Sequence, residues 1–191
     1  MLFRSPLLPP AVLKPYWSDE IMDYNKIKLV ILDVDGTLTD GGIYYDSQGN
    51  EMKRFSAKDG LGIMVARRSG LELAIITGRA SPMVERRAKE LGIQHLRQGI
   101  QQKYPALTEL ARERGLSLDE IGYIGDDLND LQCMEAVGFR ACPADAAKEV
   151  KAVCQFVASV PGGQGAVREG LEYLLTQQGR WEKAARDAYY V

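Results

Sequence analysis

Soft metal ligands are scarce in this chain: three cysteines and one histidine among 191 residues. His95 sits in a short apolar segment between Ile93 and Leu96 and reads as a structural residue. With one imidazole and no Cys-x-x-Cys pair, neither a zinc site nor a Ser-His triad is readily built. Cys133, Cys142 and Cys154 are an odd number, which speaks for the reduced thiols of a cytosol and against a disulfide framework. A basic excess is also missing. The net charge is −2, so the basic face that binds nucleic acid is not expected. No apolar run approaches the roughly eighteen residues that span a bilayer, so no membrane partner is expected.

Hydrophobic residues make up 46% and charged residues 26%, as in one soluble domain with a substantial core. That domain is expected over 27–178, with an arm over 1–26 and a tail over 179–191. The arm is apolar near its start but broken by Pro6, Pro9 and Pro10, and it lacks a small-residue cleavage site. It reads as a flexible segment rather than a signal peptide.

The most informative stretch is Val30-Ile31-Leu32-Asp33-Val34-Asp35-Gly36-Thr37-Leu38-Thr39. Val30 to Leu32 predicts a strand buried on both faces, as in a parallel sheet. Function in such sheets gathers beyond the carboxyl ends of the strands. Two aspartates there would repel by roughly 4 kcal/mol at about 4 Å and an effective dielectric near 20. Such a pair is tolerated when a cation sits between the carboxylates or when one of them does chemistry. A calcium loop does not fit, because a strand precedes, and Leu38 and Gly41-Gly42 follow where oxygen ligands are needed.

Downstream, β-prone runs flank a Gly-Asn turn and predict a hairpin over about 43–55. Helices are expected over 59–69, from Ser81-Pro82 to Gly92, and over 105–114, 129–136, 144–153 and 166–177. Strands are expected over 73–76, near His95, and over 121–124, 139–142 and 155–158. The alternation specifies a three-layer α/β/α, Rossmann-like sandwich with a mostly parallel sheet. No internal repeat or low-complexity segment is present.

Three more segments place polar groups at strand ends or helix starts. Ile76 runs into Thr77-Gly78-Arg79, Gln101-Gln102 into Lys103, and Ile124 into Gly125-Asp126-Asp127-Leu128-Asn129-Asp130. Taken singly, Thr77 reads as a helix cap, Lys103 as a solvated lysine and the acidic run as capping carboxylates. Their joint order resembles the four motifs of the haloacid dehalogenase-like superfamily, whose members are mostly aspartate-nucleophile phosphatases. The resemblance implies that Asp33 attacks phosphorus. Asp35 would give a proton to the leaving alkoxide and later take one from water. Magnesium, a hard ion preferring oxygen, would be held by Asp33, Asp126 and the backbone carbonyl of Asp35. Thr77 and Lys103 would bind the oxygens that gain charge. Asp127 and Asp130 would orient the metal site and Lys103.

Larger superfamily members carry a cap domain. Here the first gap holds only the hairpin and the second one helix and one strand, so the chain is capless. It is similar, from about residue 28 to 184, to the 3-deoxy-D-manno-octulosonate 8-phosphate phosphatase family. The likeness rests on the motifs above, on Phe55-Ser56-Ala57-Lys58-Asp59-Gly60, on Gln98-Gly99 and on Gly162-Gly163-Gln164-Gly165-Ala166-Val167-Arg168-Glu169. It implies a magnesium-dependent cytosolic homotetramer acting on a sugar-acid phosphate of lipopolysaccharide synthesis. Hairpins would meet at its centre, and a neighbour's tail could cover the site. Lys58, Gly78, Arg79 and Arg87 are the candidates for holding the substrate, whose carboxylate calls for cations beyond the phosphate site. Arg87 also reads as a solvated helix residue, and Arg168 either as serving a neighbour's site or as a partner of Glu172. Relatives acting on nine-carbon acid sugars are expected to carry an acidic residue where Arg79 stands. Two rival readings remain: a nine-carbon sugar-acid phosphatase and a non-catalytic oligomerisation module.

Overall fold

The computed structural model describes residues 22–189, so all but the last five residues of the arm expected over 1–26 lie outside the described residues. The first strand, β1 (Leu29–Leu32), is buried along its whole length. A ribbon of β2 (Tyr44–Tyr45) and β3 (Glu51–Met52) follows, paired antiparallel. Then come α1 (Ala57–Arg68), β4 (Glu72–Ile76), α2 (Pro82–Leu91), β5 (His95–Arg97) and α3 (Lys103–Arg114). The second half holds β6 (Ile121–Ile124), α4 (Leu128–Ala136), β7 (Phe139–Cys142), α5 (Lys148–Val153), β8 (Phe156–Val157), α6 (Ala166–Gln177) and α7 (Trp181–Tyr189).

Six strands form one sheet in the order β5-β4-β1-β6-β7-β8, every pair parallel. The chain thus winds outward in one direction from β1, returns, and winds outward in the other. The order reverses between β1 and β6, where open α/β sheets leave a crevice. Alternation along β1 sends Val30 and Leu32 into one core with α1, α2 and α6, and Leu29 and Ile31 into the other with α3, α4 and α5. Both faces are covered, which is why the strand reads as an unbroken apolar run.

Several boundaries differ from expectation. The helix expected over 144–153 starts only at Lys148, because Ala144 and Ala146 are used in turns, donating to Val160 and Pro143 carbonyls. The helix expected from 105 already begins at Lys103, and α4 begins at Leu128 with Asp127 as its cap. Residues 181–189, expected as tail, form α7, whose Ala184 and Ala188 pack on Val65 of α1. Two alanines four apart give too narrow an apolar stripe to announce a helix in the sequence. No helix among the described residues is long and apolar enough to cross a membrane.

Candidate active site

Sheet register assembles the site. Leu32 pairs with Ile75 on one side and with Ile124 on the other. Asp33 extends the ladder by one step, donating its N–H to the Ile124 carbonyl at 2.9 Å. Its neighbours across the sheet are therefore the ends of β4 and β6, which continue into Thr77 and Asp126. Thr77 is itself held, donating its N–H to the Arg97 carbonyl and accepting from Ile100. Helix α2 starts five residues later at Pro82, so the Thr77-Gly78 amides belong to a turn and not to a helix N-terminus.

Asp33 is 4% exposed and accepts from Lys103 Nζ at 2.6 Å. The same ammonium reaches Asp130 Oδ1 at 2.7 Å. Asp130 is fully engaged: Tyr123 donates its hydroxyl to Oδ1 at 2.7 Å, while the Asp126 and Asp127 amides donate to Oδ2 at 3.2 and 3.4 Å. The Asp127 carboxylate caps α4 by accepting from the Leu128 N–H at 2.8 Å. Of the two residues expected to orient the site, Asp130 touches Lys103, and Asp127 holds the helix that carries Asp130.

Carboxylate oxygens of Asp33, Asp126 and Asp130 lie within 4.8 Å of one another. Burial, with the Asp130 charge adding, pushes the Asp33 carboxyl up to about 8, although Lys103 pulls the other way. Burial likewise pushes Asp126 up to about 7, against the hydrogen bond that Thr37 Oγ1 donates to it at 2.7 Å. Burial also works against the Lys103 charge, but the Asp33 and Asp130 carboxylates prevail and hold its pKa above the ordinary value. Anionic oxygens held this close without enough positive charge fit a hard divalent cation. Because Asp130 already accepts four hydrogen bonds, Asp33 and Asp126 are the carboxylates left to hold it.

The first-motif loop packs against Asp126. Gly36 has φ +95°, and a Cβ there would lie 2.1 Å from Asp126 Oδ2, so only glycine fits. Thr39 ties the loop shut, donating its N–H to the Val34 carbonyl at 2.9 Å. Asp35 forms an ion pair with Lys53. Arg79 donates to Glu51 Oε1 at 2.8 Å and to the Tyr45 hydroxyl at 3.4 Å, and its Nε stands 3.9 Å from Asp35 Oδ2. Lys58 lines an open groove of about 630 Å³ with Gln164, Gly165 and Arg168. Arg87 has other partners: it donates to the Ser56 carbonyl at 3.3 Å, meets Glu90 at 3.2 Å and lies over the Phe55 ring. Arg168 pairs with Glu172 at 3.7 Å, as the i,i+4 spacing allowed.

Two residues escaped the sequence reading. Lys53 lay in the second β-prone run of the expected hairpin, where no signal singled it out. Asp59, 1% exposed, accepts from the Gly165 and Arg168 amides at 3.2 and 2.9 Å. It thereby anchors the glycine-rich loop, whose Gly163 donates to the Thr37 carbonyl at 3.1 Å. A carboxylate three residues after the half-buried capping Ser56 looks from sequence alone like ordinary first-turn charge.

A family model described as haloacid dehalogenase-like hydrolase matches residues 96–167. The chain is 42% identical over 170 residues to 3-deoxy-D-manno-octulosonate 8-phosphate phosphatase KdsC of Escherichia coli strain K12, covering 89% of this chain and 90% of the relative. The chain belongs to this phosphatase family. A solved family structure from Moraxella catarrhalis, in complex with a magnesium ion, a phosphate ion and a KDO molecule, is 45% identical with a TM-score of 0.81, covering 84% of this chain and 92% of that one. A cobalt-bound octulosonate 8-phosphate phosphatase from Haemophilus influenzae is 40% identical with a TM-score of 0.78, covering 82% and 91%. The haloacid dehalogenase-like fold expected from the motifs is thus the fold of the family.

Proposed function

We propose that this chain is a magnesium-dependent phosphomonoesterase that hydrolyses 3-deoxy-D-manno-octulosonate 8-phosphate. The observation that carries the reading is the Lys103-bridged pair of Asp33 and Asp130 beside Asp126, in a chain 42% identical to an octulosonate 8-phosphate phosphatase. The Moraxella relative's magnesium, phosphate and KDO correspond to the cofactor and both products of that reaction.

Asp33 attacks phosphorus through a carboxylate oxygen. A bond forms from that oxygen to phosphorus as the bond from phosphorus to the sugar oxygen breaks. Asp35 gives its proton to the departing oxygen, then takes one from the water that attacks the aspartyl phosphate, releasing phosphate and restoring Asp33. Lys103 and Thr77 stabilise the phosphoryl oxygens as charge shifts. Magnesium, when held by Asp33, Asp126 and the Asp35 carbonyl, supplies positive charge that offsets the crowded anions and orients the phosphate. Asp127 and Asp130 keep Asp126 and Lys103 in place. Gly78 leaves room beside the phosphate, and Arg79, with Lys58 and Arg87, supplies positive charge for the sugar's carboxylate. Arg79 favours the eight-carbon over the nine-carbon acid.

A cytosolic homotetramer is part of the same proposal, supported by an apolar ribbon (Ile43 59% and Tyr45 60% exposed) and by three free cysteines. The test is turnover of eight- and nine-carbon acid-sugar phosphates with and without magnesium, by wild type and Asp33→Asn. The reading expects magnesium-dependent release from the octulosonate ester, lost in Asp33→Asn. A kcat/KM about tenfold higher on the nine-carbon ester would replace the substrate, and activity in Asp33→Asn would remove the nucleophile.

A further inference from the structure

Two lysines approach the paired aspartates of the first motif, and the mechanism so far uses only one. Lys103 answers Asp33. Lys53 forms an ion pair with Asp35 Oδ1, and its side chain is only 3% exposed. A lysine that buried is rare unless a partner holds it. Its ammonium also stands 3.8 Å from Glu51 Oε1, the oxygen that holds Arg79 at 2.8 Å. Arg79 in turn faces the second Asp35 oxygen at 3.9 Å. Cations therefore face both oxygens of Asp35, one brought by the ribbon and one by the Thr77-Gly78-Arg79 turn, and Glu51 links the two. The Thr39–Phe55 bridge closes the ribbon back onto the first-motif loop and fixes the backbone near Lys53.

We infer that Lys53 is a positioning residue: its ammonium turns the Asp35 carboxyl group toward the oxygen that leaves phosphorus. The inference rests on the phosphatase reading above. It predicts a signature that a merely structural lysine lacks. A sugar alkoxide is a poor leaving group and needs the Asp35 proton while the phosphorus–oxygen bond breaks. A nitrophenolate leaves without one.

The experiment compares wild type, Lys53→Met and Lys53→Arg on the octulosonate ester and on p-nitrophenyl phosphate at saturating magnesium, with thermal melts as a folding control. Lys53→Met is expected to lose about 10²-fold in kcat/KM, which reports formation of the aspartyl phosphate and not its shared hydrolysis, on the sugar ester and less than about fivefold on the aryl ester. Lys53→Arg, which keeps the cation, is expected to recover most of the difference. Should Lys53→Met not fold, Glu51→Gln leaves Lys53 in place without its second partner and is expected to show a smaller loss with the same ester preference. Equal losses on both esters, or none on the sugar ester, overturn the inference. Asp33→Asn separates the two claims: wild-type activity that dies with Asp33 but ignores Lys53 overturns this inference alone. A wild type inert on both esters overturns the phosphatase reading and this inference together.

Discussion

The carboxylate of Asp59 in α1 accepts the backbone N–H of Arg168 in α6 at 2.9 Å, across 109 residues of sequence. It also takes the Gly165 amide, so one buried side chain caps a helix that belongs to the far end of the chain. Burial pushes its pKa up even though these amides pull it down. Asp59→Ala would leave buried donors unpaired and is expected to cost about 1–3 kcal/mol in urea unfolding. Asp59→Asn keeps an acceptor oxygen and should lose about half as much. Equal stability of the alanine variant and wild type would refute the capping role.

The acidic cluster makes stability depend on pH and on magnesium together. Asp33 and Asp126 have native pKa values of about 8 and about 7, both above the ordinary 3.8. Without metal the native state holds protons that the unfolded chain releases. The stability these groups contribute is therefore present at acid pH and lost as pH rises through the window from about 4 to about 8. Magnesium binds the deprotonated carboxylates, so its stabilising effect should grow across the same window. Melts near pH 5.5, 7 and 8.5 with and without magnesium check this, and a larger magnesium shift at the acid end would contradict it.

Much of this site was legible in the sequence because it lies at the ends of strands buried on both faces. Such strands appear as short apolar runs, and the polar residues that follow them gather at the carboxyl end of the sheet: Asp33, Thr77 and Asp126 were picked out this way. What escaped depends on contacts between distant segments. Lys53 sits in Glu51-Met52-Lys53-Arg54, and only the fold-back of the ribbon distinguishes its buried ammonium from exposed Arg54 beside it. Asp59 and α7 were missed for the same reason, since their partners, Arg168 and Val65, are brought by the tertiary fold.

Tyr123 and Asp130 separate the two contributions to Lys103 placement. Tyr123→Phe removes one donor from an oxygen that still has Lys103, and should cost about 1 kcal/mol with kcat changed less than about threefold. Asp130→Asn removes the charge and sets an amide against donors on every side. About 3–5 kcal/mol of stability should go, because the buried ammonium loses a partner, and kcat should fall with it. Measuring both by denaturant melts and turnover tests the hierarchy, and a larger effect from Tyr123→Phe would reverse it.

The ribbon poses a final question of stability. Its strands are two residues each, and isolated two-stranded ribbons are marginal in water. Yet it carries Glu51 and Lys53, whose contacts with Arg79 and Asp35 require a fixed backbone. It also exposes Ile43, Tyr44, Tyr45 and Met52 together, an apolar surface of the kind that marks an interface. Ribbons of other copies would cover these side chains and stiffen the strands. Ile43→Asp with Met52→Asp spares every charged residue of the site, so its effect reports on assembly. The double variant is expected to run as a monomer in light scattering and to lose activity on the sugar ester more than on the aryl ester, since Lys53 would lose its frame. A wild type that is itself monomeric at micromolar concentration would sink the assembly, and a monomeric variant with full activity would show that the ribbon holds Lys53 unaided.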